Sequence, residues 1–70
     1  SFKYGIPEKS DVLIQIYNIQ GRLIDEIASA GMEAGYHTFN WDGTHQSSGM
    51  YLIKIKIHDT VKTHRAILIK

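Results

Sequence analysis

The side chains best suited to acid–base or metal chemistry are four histidines, which are scattered along a chain of 70 residues. They are His37, His45, His58 and His64. A metal site needs two or three such side chains that converge with a carboxylate. Asp42 lies three residues before His45, and Asp59 directly follows His58, but neither spacing is that of a metal-binding motif. We therefore expect these pairs to be solvated turn residues, with no metal and no cofactor.

A nucleophile, a base and an acid also occur close together in one short segment. Asp42, His45 and either Ser47 or Ser48 could be lined up as a catalytic triad. A working triad, however, holds its members on separate rigid elements around a pocket, and these four residues share one loop. A domain of this size also has little volume for a pocket beside its core. We expect no catalytic residues and no enzyme activity.

The main pattern along the chain is an alternation of apolar and polar residues, which predicts β-strands. In the segment 50–59, four apolar residues alternate with Lys54 and Lys56, as is typical of an antiparallel strand with one buried side. The segment 11–18 alternates in the same way. The apolar residues on the inward faces of these two segments are Val12, Ile14, Ile16, Tyr51, Ile53, Ile55 and Ile57.

Four further segments complete the predicted set of strands. Gly21 closes a four-residue reversal in which it is expected to adopt a positive φ. Ile24 and Ile27 are three residues apart, which could fit a helical turn, but the neighbouring segments favour a strand with a bulge or a bend. The last strand is the least one-sided, because apolar residues stand next to one another near its end. The six predicted strands are 2–6, 11–18, 22–32, 36–41, 50–59 and 61–70.

The loop between the fourth and fifth strands begins at an unusual group of residues. Trp41 is expected to end a strand facing inward, and Asp42 to bond a backbone amide two residues further on. Gly43 is expected to supply backbone freedom for the reversal, which ends at Gly49. Because the next inward residue is Tyr51, we predict that Trp41 and Tyr51 pack together at one end of the core.

Together these elements predict an all-β fold, a small antiparallel β-sandwich of about six to seven strands in a single domain, 1–70. The net charge of +1, from 8 basic and 7 acidic residues, argues against nucleic-acid binding through a broad basic face. No apolar segment approaches the ~20 residues of a transmembrane helix. The chain starts at Ser1, and we expect it to be a fragment of a longer protein.

Exposed aromatic side chains leave a carbohydrate-binding function open. Tyr4, Tyr17 and Tyr36 could be exposed, and two or three of them on one sheet face would form a platform on which a sugar stacks. Trp41 and Tyr51 fall on the apolar sides of their strands, so we expect them in the core instead. Single exposed aromatic residues are common in proteins.

Several short motifs occur in an order that resembles a known family. They are FKYGIPEKSDVLIQIYNIQGRLI, AGYHTFNWDG, SSGMYLIKIKI and a terminal HRAILIK. In this order they resemble the small immunoglobulin-like domain of flagellar hook-capping proteins. They are also similar to the type A C-terminal sorting domains of type IX secretion cargo. The loop after the WDG motif is shorter than is usual in these families. The resemblance implies an Ig-like (fibronectin III-like) sandwich.

The resemblance also implies a function and a location. The domain would be the C-terminal sorting signal of a larger exported bacterial protein, recognised by outer-membrane secretion machinery and following an upstream cargo domain. The product would reach the cell surface or the medium through the periplasm, with Lys70 at or near the C-terminus. A terminal strand at a sheet edge offers unpaired backbone groups to a partner. The predicted recognition residues are Lys54, Lys56, Arg65, Ala66, Ile67, Leu68, Ile69 and Lys70.

Two other functions fit the same features. The first is a structural or assembly module, as in the hook-capping relatives, which holds neighbouring domains together or binds partners through sheet edges. The second is a carbohydrate-binding accessory of a secreted hydrolase.

Overall fold

A computed structural model describes residues 2–69 and contains six β-strands, all paired antiparallel. The strands are β1 (Phe2–Ile6), β2 (Ser10–Asn18), β3 (Leu23–Met32), β4 (Gly35–Phe39), β5 (Gly49–Ile57) and β6 (Thr60–Leu68). β1 and β4 form a two-stranded sheet, and the other four form a sheet in the order β3-β2-β5-β6. The predicted all-β sandwich is therefore confirmed, with six strands.

The core lies between the two sheets and is built from the inward faces of β2 and β5. Seven of its residues are those that the alternation predicts, and Ile6 of β1 adds an eighth from the smaller sheet. Burial alternates residue by residue along both strands, since successive side chains of a strand point to opposite faces. Lys54 and Lys56 are exposed, as predicted. The central pair of strands therefore carries most of the apolar burial.

The predicted irregularity of β3 is confirmed at two places, both of which put an extra residue into β3 relative to β2. Ile24 has no partner of its own on β2, and Ala30 and Gly31 together face Asp11. Gly31 has φ 63°, and its backbone N–H donates to Asp11 Oδ1 at 2.9 Å. These are β-bulges, which locally disrupt the ladder and increase the twist of the strand.

The turn predicted at Gly21 is present, whereas the fourth strand is shorter than predicted. Gly21 has φ 82°, and its N–H donates to the carbonyl oxygen of Asn18 at 3.0 Å, as the predicted reversal requires. The fourth strand was predicted to reach Trp41 but ends at Phe39, which pairs with the second residue of the chain. Among the described residues β1 offers no partner beyond that pair, so Trp41 lies outside the ladder.

No helix in residues 2–69 is long and apolar enough to cross a membrane.

Candidate functional site

The loop that holds the possible triad uses its polar groups to stabilise its own turn. The carboxylate Oδ1 of Asp42 accepts a hydrogen bond from the backbone N–H of Thr44 at 3.0 Å, the predicted bond two residues on. The hydroxyl of Thr44 donates to the same oxygen. Gln46 N–H donates to the carbonyl of Gly43 at 2.9 Å. The Asp42 carboxylate therefore stabilises its own turn.

The histidines are dispersed in space as they are in sequence. His37 Nε2 lies 2.7 Å from the carbonyl oxygen of Glu33, and its ring stacks on Tyr4 at 5.8 Å between centroids. His58 Nε2 is 3.8 Å from a carboxylate oxygen of Glu8. In residues 2–69 no three His, Cys, Asp or Glu side chains form a group that could hold a metal.

An aromatic contact between Trp41 and Tyr51 joins the loop to the core. The rings of Trp41 and Tyr51 meet edge to face, with 5.0 Å between centroids and 63° between planes, as predicted. Such aromatic pairs stabilise by more than the area they bury. The Tyr51 hydroxyl donates to the carbonyl oxygen of Ser47 at 2.5 Å. The same buried side chain therefore also holds the backbone near the end of the loop.

Gly43 has a different role from the one predicted. It is buried, and its φ is not positive, so the backbone here needs no special freedom. A methyl group at this position would lie 3.0 Å from Cδ2 and 3.1 Å from Cδ1 of Leu68. It would also lie 3.5 Å from the Trp41 ring. A side chain here would therefore be crowded, and the end of the Leu68 side chain would have to move by a few tenths of an ångström. We call Trp41, Gly43, Tyr51 and Leu68 the seam.

Replacing Gly43 by alanine should destabilise the domain by about 1 kcal/mol, as is usual for mild overpacking. For a domain of this size that corresponds to a fall in Tm of about 4–8 °C. The Gly43→Ala and Leu68→Ala variants should be non-additive, because removing the Leu68 methyl groups leaves room for the new one. Thermal unfolding of the two single variants and the double variant measures this coupling. Simple additivity would show that the close approach is not what makes alanine unfavourable here.

The tyrosines do not form one platform. Tyr17 lies on the outer face of the four-stranded sheet, where Lys54 Nζ is 5.7 Å from its ring centroid. Tyr36 is 80% exposed and alternates with the half-buried His37, so it lies on the outer face of the other sheet. Tyr4 packs against the core. Tyr17 and Tyr36 therefore face opposite sides of the sandwich, which removes the basis for a stacked-sugar site.

The predicted recognition residues that the structure describes lie on β5, on β6 and at Ile69, directly after β6, but they divide between two faces. Ala66 and Leu68 are half-buried and pack against the core, whereas Ile67 is 72% exposed on the opposite face. The other recognition residues that the structure describes are exposed as well: Lys54, Lys56, Arg65 and Ile69. Lys70 lies outside the described residues. β6 is an edge of its sheet, as the hypothesis of an open terminal strand requires.

One feature beside β6 was missed from the sequence. It is a groove of about 350 Å³ on the inner side of β6, lined by Trp41, Ile53 and residues 64–68. The groove depends on the loop that brings Trp41 close to Leu68, and alternation within one strand does not predict that approach. Lys62 is also exposed on β6. It pairs with the buried Ile55 and therefore lies on the inner face, opposite to Lys54, Lys56 and Arg65.

The fold defines the class of the protein as a small antiparallel β-sandwich. A family model described as the FlgD Ig-like domain matches residues 1–60. The chain therefore belongs to the family of FlgD Ig-like domains, which confirms the hook-capping resemblance. The match gives no support to the resemblance to type IX sorting domains. No curated protein and no solved structure matches the chain.

Proposed function

We propose that this domain is a non-catalytic structural or assembly module, which positions or joins parts of a larger exported bacterial protein. The observation that carries the proposal is the match to the FlgD Ig-like domain family over residues 1–60. The exported location and the presence of neighbouring domains are part of the proposal and rest on the motif resemblance.

The placement of the polar side chains supports a non-catalytic function. The Asp42 carboxylate stabilises its own turn, and the Tyr51 hydroxyl holds the backbone of the same loop. The hydrogen bonds of both groups therefore serve the architecture. The exposed strand edges and the exposed apolar residues Met50 and Ile67 are features that an assembly module would use.

Sorting through a type IX secretion system is the finer interpretation, and it now has less support than the structural one. It rests on the similarity of the motifs and on the exposed position of β6, while the matched family is of the hook-capping type. Both functions would use the same edge of the larger sheet.

Deletion of residues 1–70 from the full polypeptide that carries them should impair assembly and leave the remaining parts folded and active. Co-purification and sedimentation would measure assembly, and the activity of the other parts would be assayed separately. Replacement by an unrelated Ig-like sandwich of similar size is the matched control. If the replacement restores assembly, the domain is a spacer, and if it does not, the domain binds a specific partner. Unchanged assembly after the deletion would refute the proposal.

A signal-peptide-bearing fluorescent protein fused in front of residues 1–70 tests the sorting function directly. In a bacterium with an intact type IX system, we expect the fusion to stay in the periplasm, as it does in a secretion-defective strain. Fluorescence at the surface or in the medium, together with the mass of any released product, measures export. Export that depends on the system would establish a sorting signal and overturn the structural proposal.

A further inference from the structure

We propose that β6 accepts an extended, acidic segment of a different protein as an additional strand of the four-stranded sheet. The inference rests on the proposed assembly function and specifies the edge and the chemistry of the partner. Three independent features of the described residues support it: the regularity of this edge, its charge and the groove beside it.

The two edges of the four-stranded sheet differ in regularity. β3, at one edge, contains both bulges, and bulges at an edge disturb the row of backbone groups that another strand would need. β6, at the other edge, pairs with β5 without a shift from Ile57↔Thr60 to Gly49↔Leu68 and contains neither glycine nor proline. Alternate residues of β6 therefore present regularly spaced N–H and C=O groups away from β5. β6 is the edge suited to strand addition.

The charges on the two edges also differ. β5 and β6 contain four cationic residues and no acidic ones, whereas β3 contains Asp25 and Glu26 and no cationic residue. The four cations are Lys54, Lys56, Lys62 and Arg65, and all are exposed. Lys62 pairs with the buried Ile55 and so lies on the inner face of the sheet, whereas the other three lie on the outer face. An added strand with carboxylate side chains would find opposite charges on its neighbour, and such cross-strand pairs are favourable. Complementary charge also directs the choice of partner.

The groove beside β6 indicates which side chains the partner would carry on its inner face. It lies on the inner side of the strand, between Trp41 and the half-buried Ala66 and Leu68. Side chains of an added strand point alternately to the two faces of the sheet. An apolar side chain on the inner face could therefore cover Trp41, while carboxylates on the outer face approach Arg65. The partner segment is accordingly one with acidic residues on its outer face and, on its inner face, apolar residues beside Trp41 and an acidic residue near Lys62.

A second copy of this chain fits the edge less well. Antiparallel pairing of β6 with β6 of another copy would bring either Lys62 or Arg65 near its own counterpart, depending on the register, and like charges across strands are unfavourable. β6 contains no acidic residue that would offset this repulsion. Pairing of β6 with β3 of another copy would bring opposite charges together but would meet the bulges at Ile24 and at Ala30 and Gly31. The occupant is therefore a different polypeptide.

A displayed library of random ten-residue peptides, selected on the folded chain, tests the proposal. We expect the enriched peptides to be acidic, with apolar residues at alternate positions. Binding should weaken at least tenfold in the double variant Lys62→Glu and Arg65→Glu. The matched control, Lys9→Glu and Arg22→Glu, makes the same change in net charge away from β6 and should bind as the natural chain does. Amide hydrogen exchange should slow in β6, and the fluorescence of Trp41, the only tryptophan, should change.

Several outcomes would overturn the inference without touching the assembly proposal, which the deletion experiment tests separately. These are enrichment of neutral or basic peptides, no enrichment, equal weakening in both double variants, or protection of β3 amides in place of β6. Concentration-dependent dimerisation of the natural chain in sedimentation, with slowed exchange in β6, would also overturn it. The edge would then be occupied by a second copy.

Discussion

Replacing Ile16 by alanine is expected to destabilise the domain by about 3–4 kcal/mol, within the usual range for a buried isoleucine. Ile16 has no exposed surface, and it lies on β2, which is flanked by both β3 and β5. Its side chain faces the core, where the surrounding strands can close only part of the cavity. A domain of about 70 residues commonly has only a few kcal/mol of stability, so the variant should be largely unfolded.

Urea unfolding followed by circular dichroism measures the effect, provided that the natural chain gives a complete transition. The matched control is Ile19→Ala, which removes the same atoms from a turn residue that is 69% exposed and should change stability by less than about 0.5 kcal/mol. If the two variants unfold at similar urea concentrations, the core is not organised around β2 as described.

Replacing Trp41 by alanine should have the second largest effect, a loss of about 2–3 kcal/mol. Full burial would place the cost at about 3–5 kcal/mol, but Trp41 is only half-buried. The variant loses the edge-to-face contact with Tyr51 and the cover that the ring gives to the core, and it opens the groove beside β6. Part of the cost therefore arises in the loop and part at the end of β6.

Trp41→Phe is the informative comparison, because it keeps an aromatic ring at the seam while reducing its size. We expect it to cost about 1 kcal/mol, measured by thermal unfolding with circular dichroism. Equal losses for the alanine and phenylalanine variants would show that a smaller aromatic ring restores neither the buried area nor the contact with Tyr51, and would contradict the expected role of that contact.

The strands of the larger sheet were predictable because each central strand has one apolar and one polar face. Val12, Ile14 and Ile16 needed only the two-residue period of a strand to be placed in the core. The turn at Gly21 was equally predictable, since a positive φ there favours glycine. These features depend on neighbours within a few residues along the chain.

What was missed depends on contacts between distant segments. β4 ends at Phe39, which pairs with Phe2 at the start of β1, and the sequence around Trp41 holds no sign of that pairing. The crowding at Gly43 comes from Leu68, which is 25 positions later in the chain. The groove beside β6 arises from the same approach. The seam was therefore predictable as a pair of aromatic residues but not as a packed site.

The contrast between a bulged β3 and a regular β6 has a consequence for stoichiometry. A sheet with two edges that are able to pair can bind one copy at each edge, so that association propagates into a filament. A sheet with one regular edge has a valency of one. Binding at β6 would therefore saturate at a single partner for each domain, and higher concentration would fill the edge without lengthening the assembly.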